Sequence, residues 1–147
     1  MQIFVVGSPL ETAMALSRKH LRNQINEAHV ILAAIHGEGK GWFHHPVVLM
    51  YSEPNSVRWL SMYADILEGY LAGHTGLPEA DNEAKLITPA FHTPEFIKQM
   101  KRRLYTKAPQ DYIQWQSLGT SEENYYWDPL KATWKIYRDG KLVGIKG

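Results

Sequence analysis

Leu21, Ile25, Ala28, Leu32 and Ile35 recur at spacings of four and three, the period of one buried helical face, and Gly37 stands where such a helix would cap. Val57, Leu60, Ala64, Leu67 and Leu71 line one face of another helix from about Pro54 to Leu71, closed by Gly73. Ahead of both, Ser8-Pro9-Leu10-Glu11 joins an N-cap serine, a proline at the first helical position and a glutamate three residues after the cap. That capping box predicts a helix from Pro9 that ends or bends around Ser17 to His20. Thr93-Pro94 starts a fourth helix through about Tyr105, after a polar loop from Gly76 to Pro89. Beyond Pro109 the chain turns aromatic, and TWKIYRDGKLVGI alternates around Asp139-Gly140, a strong hairpin signal. The expected fold is mainly α, with residues 1–147 as one compact helical bundle, an extended N-terminal segment and a small C-terminal β-hairpin.

A length of 147 residues at 44% hydrophobic content allows one sizeable core. No apolar run approaches the ~18 residues of a membrane span. MQIFVVGSP lacks the basic start and long apolar stretch of a signal peptide. The absence of cysteine excludes disulfides, thiolate catalysis and Cys-ligated zinc, and it fits a reducing cytoplasm. A net charge of +1 does not announce a nucleic-acid binder, but the bases are clustered. Arg18, Lys19 and Arg22 form one group, and Lys98, Lys101, Arg102, Arg103 and Lys107 another. Each group reads as a solvated helix face or as part of a phosphate track.

Phosphate-loop, dinucleotide-binding, HExxH and GxSxG motifs are missing. His44-His45 would need a third ligand such as His74 or His92 to hold a metal, and the seven histidines lack metal-ligand spacing. Loop histidines bonded to backbone are the simpler reading, so no metal is expected.

The chemistry-bearing stretch runs from His20 to Tyr51. Glu27 is the lone acid of its helix, in a row with His20 and Gln24 beside the apolar stripe, while Arg22, Asn26 and His29 form a second row. Glu27 thus sits at the border of the buried face, able to reach a cleft. As a plain helix-face acid it would instead pair with Arg18, Arg22 or a histidine. The aromatic run of Tyr112, Trp115, Tyr125, Tyr126, Trp127, Trp134 and Tyr137 suits either core packing or stacking on bases.

In this order the residues resemble the pyrimidine-dimer DNA glycosylases of phages and bacteria. His20-Leu21 is followed six positions after the leucine by Glu27, with Gln24 three before it. Gly41, Trp42, His45 and Pro46 follow, then Phe91-His92, Leu104-Tyr105, Lys107, Pro109 and Tyr112, and finally Thr133, Trp134 and Tyr137. The resemblance implies a DNA-repair N-glycosylase with AP lyase activity on cyclobutane pyrimidine dimers in double-stranded DNA. In that family the N-terminal amine attacks C1′ of the damaged nucleotide, frees the base and forms an imine, and β-elimination then breaks the strand. An α-amine, with a pKa of about 8, is partly neutral and nucleophilic near pH 7. A neighbouring carboxylate can stabilise charge on the sugar and move protons.

By resemblance Glu27 takes the carboxylate's part. The amine is that of Met1, or of Gln2 if Met1 is removed, a removal that the bulk of Gln2 disfavours. DNA contacts are expected from Arg18, Lys19, His20, Arg22, Gln24, Asn26, His29, Trp42, His45, Lys101, Arg102, Trp134 and Tyr137. Asn26 and His29 stand where the family's prototype has arginines, so phosphate clamping does not carry over at those positions. The implied protein is a cytoplasmic monomer of a bacterial or phage-infected cell, with no cofactor and no membrane partner. Two alternatives stay open: an enzyme of the same fold acting on another modified DNA base, and a non-catalytic binding module.

Overall fold

The computed structural model describes residues 1–38, 44–73 and 87–147. Among the described residues, five helices precede a small sheet: α1 (Pro9–Ala15), α2 (Arg18–Ile35), α3 (Pro46–Met50), α4 (Pro54–Leu71) and α5 (Pro94–Lys107). A 3-10 turn (Ile113–Leu118) leads into β1 (Glu123–Asp128), β2 (Thr133–Arg138) and β3 (Lys141–Lys146). The architecture is mainly α, as expected. No helix among the described residues is long and apolar enough to cross a membrane.

The capping box forms as read: Ser8 Oγ accepts from the Glu11 N–H at 3.1 Å, and the Glu11 carboxylate accepts from the Ser8 N–H at 3.0 Å. Ser17 then opens α2 by accepting from the His20 N–H. The buried face of α2 departs from the expected stripe. Leu21, Ile25 and Ala28 are buried, but Gln24, Ile31 and Ala34 complete the face, and Leu32 and Ile35 are only partly covered. The helix is covered by α4 and also by the N-terminal segment, so its dry surface is wider than a single apolar stripe.

Two elements were not legible in the sequence. The five-residue α3 is too short to show a period, and is started by Pro46 with His45 as N-cap. The expected hairpin is present around Asp139 and Gly140, whose positive φ angles of 51° and 75° suit such a turn. It is, however, two-thirds of an antiparallel meander in the order β1-β2-β3, with Tyr125 opposite Ile136 and Trp127 opposite Trp134. ENYYWD conceals β1 because apolar residues fall on both of its faces. Asp128 closes the β1–β2 turn by accepting from the Leu130 and Lys131 N–H groups and pairing with Lys135 at 3.1 Å.

The core runs from Ile3 and Val5 through Tyr51, Trp59, Leu60, Tyr63 and Leu67 to Met100 and Leu104. His92 is enclosed by Tyr51, Trp59, Phe91 and Phe96, with Nε2 at 2.9 Å from the Tyr51 hydroxyl. Burial holds its pKa down to about 3, from 6.5. The unfolded chain therefore takes up this proton near pH 6.5 while the folded chain does not. Stability from this site is full above pH 6.5 and is lost as pH falls towards 3. Between pH 7 and pH 5 His92 should cost about 2 kcal/mol, measurable by urea unfolding. His92→Phe should flatten that slope; an equal slope in both proteins would show that His92 is not its source.

Candidate active site

Residues 1–5 belong to neither helix nor strand, yet Gln2 to Val5 are buried. A buried backbone needs partners for its polar groups, and here side chains supply them. The Gln2 N–H donates to Glu27 Oε2 at 3.1 Å, and the Gln2 carbonyl accepts from Gln24 Nε2 at 3.1 Å. The Phe4 N–H donates to Gln24 Oε1 at 2.7 Å, and the Phe4 carbonyl accepts from the Tyr63 hydroxyl at 2.8 Å. The Val6 N–H donates to Thr12 Oγ1, and the Met1 carbonyl accepts from the Tyr126 hydroxyl at 2.8 Å. Even-numbered residues turn their backbone groups to the helices, while Ile3 and Val5 send their side chains into the core.

Glu27 is half-buried at the edge of a depression of about 270 Å³, lined also by Phe4, Lys19, His20, Asn23, Gln24 and Lys107. Lys107 crosses from the last turn of α5 to lie 5.9 Å from the centre of the Phe4 ring. His20 stacks on Tyr112 at 5.5 Å, with Nδ1 at 2.7 Å from the Tyr112 hydroxyl. Burial, then the Lys107 charge, lowers the His20 pKa. The depression thus gathers one carboxylate and two lysines together with the Phe4 and His20 rings.

On the other side of the terminus, His45 Nδ1 accepts from the Val47 N–H at 3.1 Å. In neutral imidazole that bond leaves the proton on Nε2. The ring meets Tyr126 edge-on at 5.4 Å. Burial, and after it the positive charge of the chain's own α-ammonium, brings the His45 pKa down to about 4. Beside the terminal amine His45 is therefore a hydrogen-bonding group and not a cation at neutral pH. Burial, and then the Glu27 charge, raises the Tyr126 phenol. Met1, Gln2, Glu27, His45 and Tyr126 form one neighbourhood.

The other candidates divide. Lys19 and His20 line the depression; Arg18, Arg22 and Asn26 are exposed elsewhere on α2. His29 pairs with Glu68 of α4, and residues two apart on a helix do not share a face, so it stands apart from Glu27. Gln24 is corrected from a DNA contact to an internal clamp: it is 2% exposed, and its amide is engaged by the N-terminal segment and Tyr63.

Lys101 lies 5.8 Å from the centre of the Trp115 ring, and Arg102 donates to the Leu118 carbonyl at 2.8 Å, so both brace the 3-10 turn away from Glu27. Trp134 stacks on Phe96 and lines a different cleft, with Phe91 and Trp127. Tyr137 packs against Tyr126 at 5.5 Å, one ring removed from the terminus. Trp42 lies outside the described residues, as does His74. No group of three or more His, Cys, Asp or Glu residues among the described residues is placed to hold a metal ion.

Sequence reasoning missed Tyr63 and Tyr126 as partners of the terminus, and Lys107 as the member of its basic row that lines the same depression as Glu27. The position of Lys107 in the last turn of its helix and its place among the residues that carry the family resemblance were the available signals. Residues 1–68 match the family model described as pyrimidine dimer DNA glycosylase, a span that includes Glu27, Gln24, His45 and Tyr63. No curated protein and no solved structure matches the chain.

Proposed function

From an N-terminal region that matches the pyrimidine dimer DNA glycosylases, we propose a DNA N-glycosylase with strand-cleaving lyase activity, using its own N-terminal amine and Glu27. The observation that carries this reading is the residue-2 nitrogen held 3.1 Å from the lone carboxylate of α2, at the edge of a depression flanked by Lys19 and Lys107. The amine attacks C1′ of the damaged nucleotide and the base leaves. Glu27 stabilises the positive charge that grows on the sugar and carries protons as the sugar opens to an imine. Loss of a C2′ proton then expels the 3′ phosphate. The amine is that of Met1, one residue beyond the Glu27-bound nitrogen; where Met1 is removed, it is the Gln2 nitrogen itself.

Double-stranded DNA is the proposed partner, with the ammonium groups of Lys19 and Lys107 on phosphates. A damaged base costs less to extrude from the stack, which favours lesions. Asn26 is neutral and His29 is engaged by Glu68, so the positive charge beside Glu27 comes from Lys19 and Lys107 and not from the positions where the family's prototype has arginines. That favours, as a second reading, a modified base other than the dimer.

Borohydride trapping on ultraviolet-irradiated duplex tests the reaction. The expected result is a covalent protein–DNA adduct that disappears when the α-amine is acetylated. Binding should weaken steeply with salt, since phosphate neutralisation drives it. No adduct with irradiated DNA or with a panel of modified bases, from protein with a free terminus, would overturn the enzymatic reading.

A further inference from the structure

Residues 69–147 lie outside the family match, yet one of them reaches the terminus. The Met1 carbonyl accepts from the Tyr126 hydroxyl at 2.8 Å, and the Gln2 N–H donates to Glu27 at 3.1 Å. These two groups belong to the same peptide unit. No cis peptide occurs among the described residues, and a trans unit is rigid and planar, its C=O and N–H pointing in opposite directions. One small plate is therefore held at both edges, by the sheet on one side and by α2 on the other. With the plate fixed, the α-amine moves only by rotation within Met1.

Tyr126 is itself held: it is 4% exposed, with the edges of His45 and Tyr137 against its ring at 5.4 and 5.5 Å. We infer that Tyr126 is a positioning residue, which sets the Met1–Gln2 peptide so that the Met1 amine is presented beside Glu27. The inference rests on the amine chemistry proposed above and adds two things to it. The C-terminal sheet is part of the active site, and Met1 is retained as the reacting residue, since without Met1 the Tyr126 hydroxyl has no carbonyl to hold.

Tyr126→Phe keeps the ring and removes the bond. At saturating irradiated duplex, single-turnover trapping should slow about tenfold or more while the Kd for DNA stays within twofold. Amide hydrogen exchange supplies a readout independent of activity. The Gln2 N–H should exchange at least tenfold faster in the variant, whereas the Phe4 N–H, held by Gln24, should keep its protection; a merely structural loss would release both together. Intact mass should include Met1. Trapping at the wild-type rate, equal loss of protection at Gln2 and Phe4, or a mature chain that starts at Gln2 would each overturn the inference. If the wild-type protein forms no adduct, the proposed function fails, and the exchange comparison alone decides whether Tyr126 sets the terminus. Tyr126→Met repeats the same measurements should the phenylalanine variant not fold.

Discussion

Glu27→Gln will leave the protein folded and bound to DNA and will slow base release and strand cleavage by about 10²–10⁴-fold, the range of a positioned proton-transfer group. Glutamine has the shape of glutamate, and its amide oxygen can still accept from the Gln2 N–H, which lies 3.1 Å from Oε2 in the wild type. The terminus therefore stays where it is. What disappears is the negative charge that would face a cationic sugar, and the ability to take up and return a proton. Single-turnover cleavage of irradiated duplex, set beside the Kd from the same preparation, separates the two effects. A variant within about threefold of wild type would remove Glu27 from the reaction and return it to the role of a helix-face acid that anchors a backbone N–H.

Gln24→Leu will have the opposite profile, a large loss of stability that carries activity with it. Leucine fits the volume but strands the Phe4 N–H, the Gln2 carbonyl and one acceptor of the Tyr63 hydroxyl, all buried. An unsatisfied buried group costs roughly 1–3 kcal/mol, so a total of about 3–5 kcal/mol is expected where the tyrosine keeps its bond to the Phe4 carbonyl. The segment would then leave the groove on α2, and trapping would fall because the terminus is no longer held on that helix. Urea unfolding measures the first effect. A loss under about 1 kcal/mol would mean that the N-terminal segment is held by Ile3 and Val5 in the core rather than by its hydrogen bonds.

The contrast between these two residues shows how far the site was legible. Both sit in the row beside the apolar stripe of α2, three positions apart, and both are polar. Nothing local distinguishes the one left half-buried at the rim of the depression from the one whose amide is engaged by the N-terminal segment. The distinction is made by residues 2 to 4, which lie across Gln24 and end at Glu27, and a helical period carries no information on what covers it. The basic row of α5 behaves alike. Periodicity puts Lys101, Arg102 and Lys107 on one helix, but the 3-10 turn engages the first two, and Lys107 projects from the last turn to Phe4.

By itself the sequence determined the pieces: the capping box at Ser8, the spans of α2, α4 and α5, the Asp139-Gly140 turn, and one acid at the border of a buried face. Each of these depends on residues within a few positions of one another, where backbone sterics and side-chain period act directly. The tertiary structure alone decided that β1 completes the sheet, that Gln24 is a clamp, and that Tyr126 meets Met1 across 125 positions of chain. Those outcomes depend on buried polar groups finding partners from distant segments, and which segments meet is settled only when the core closes.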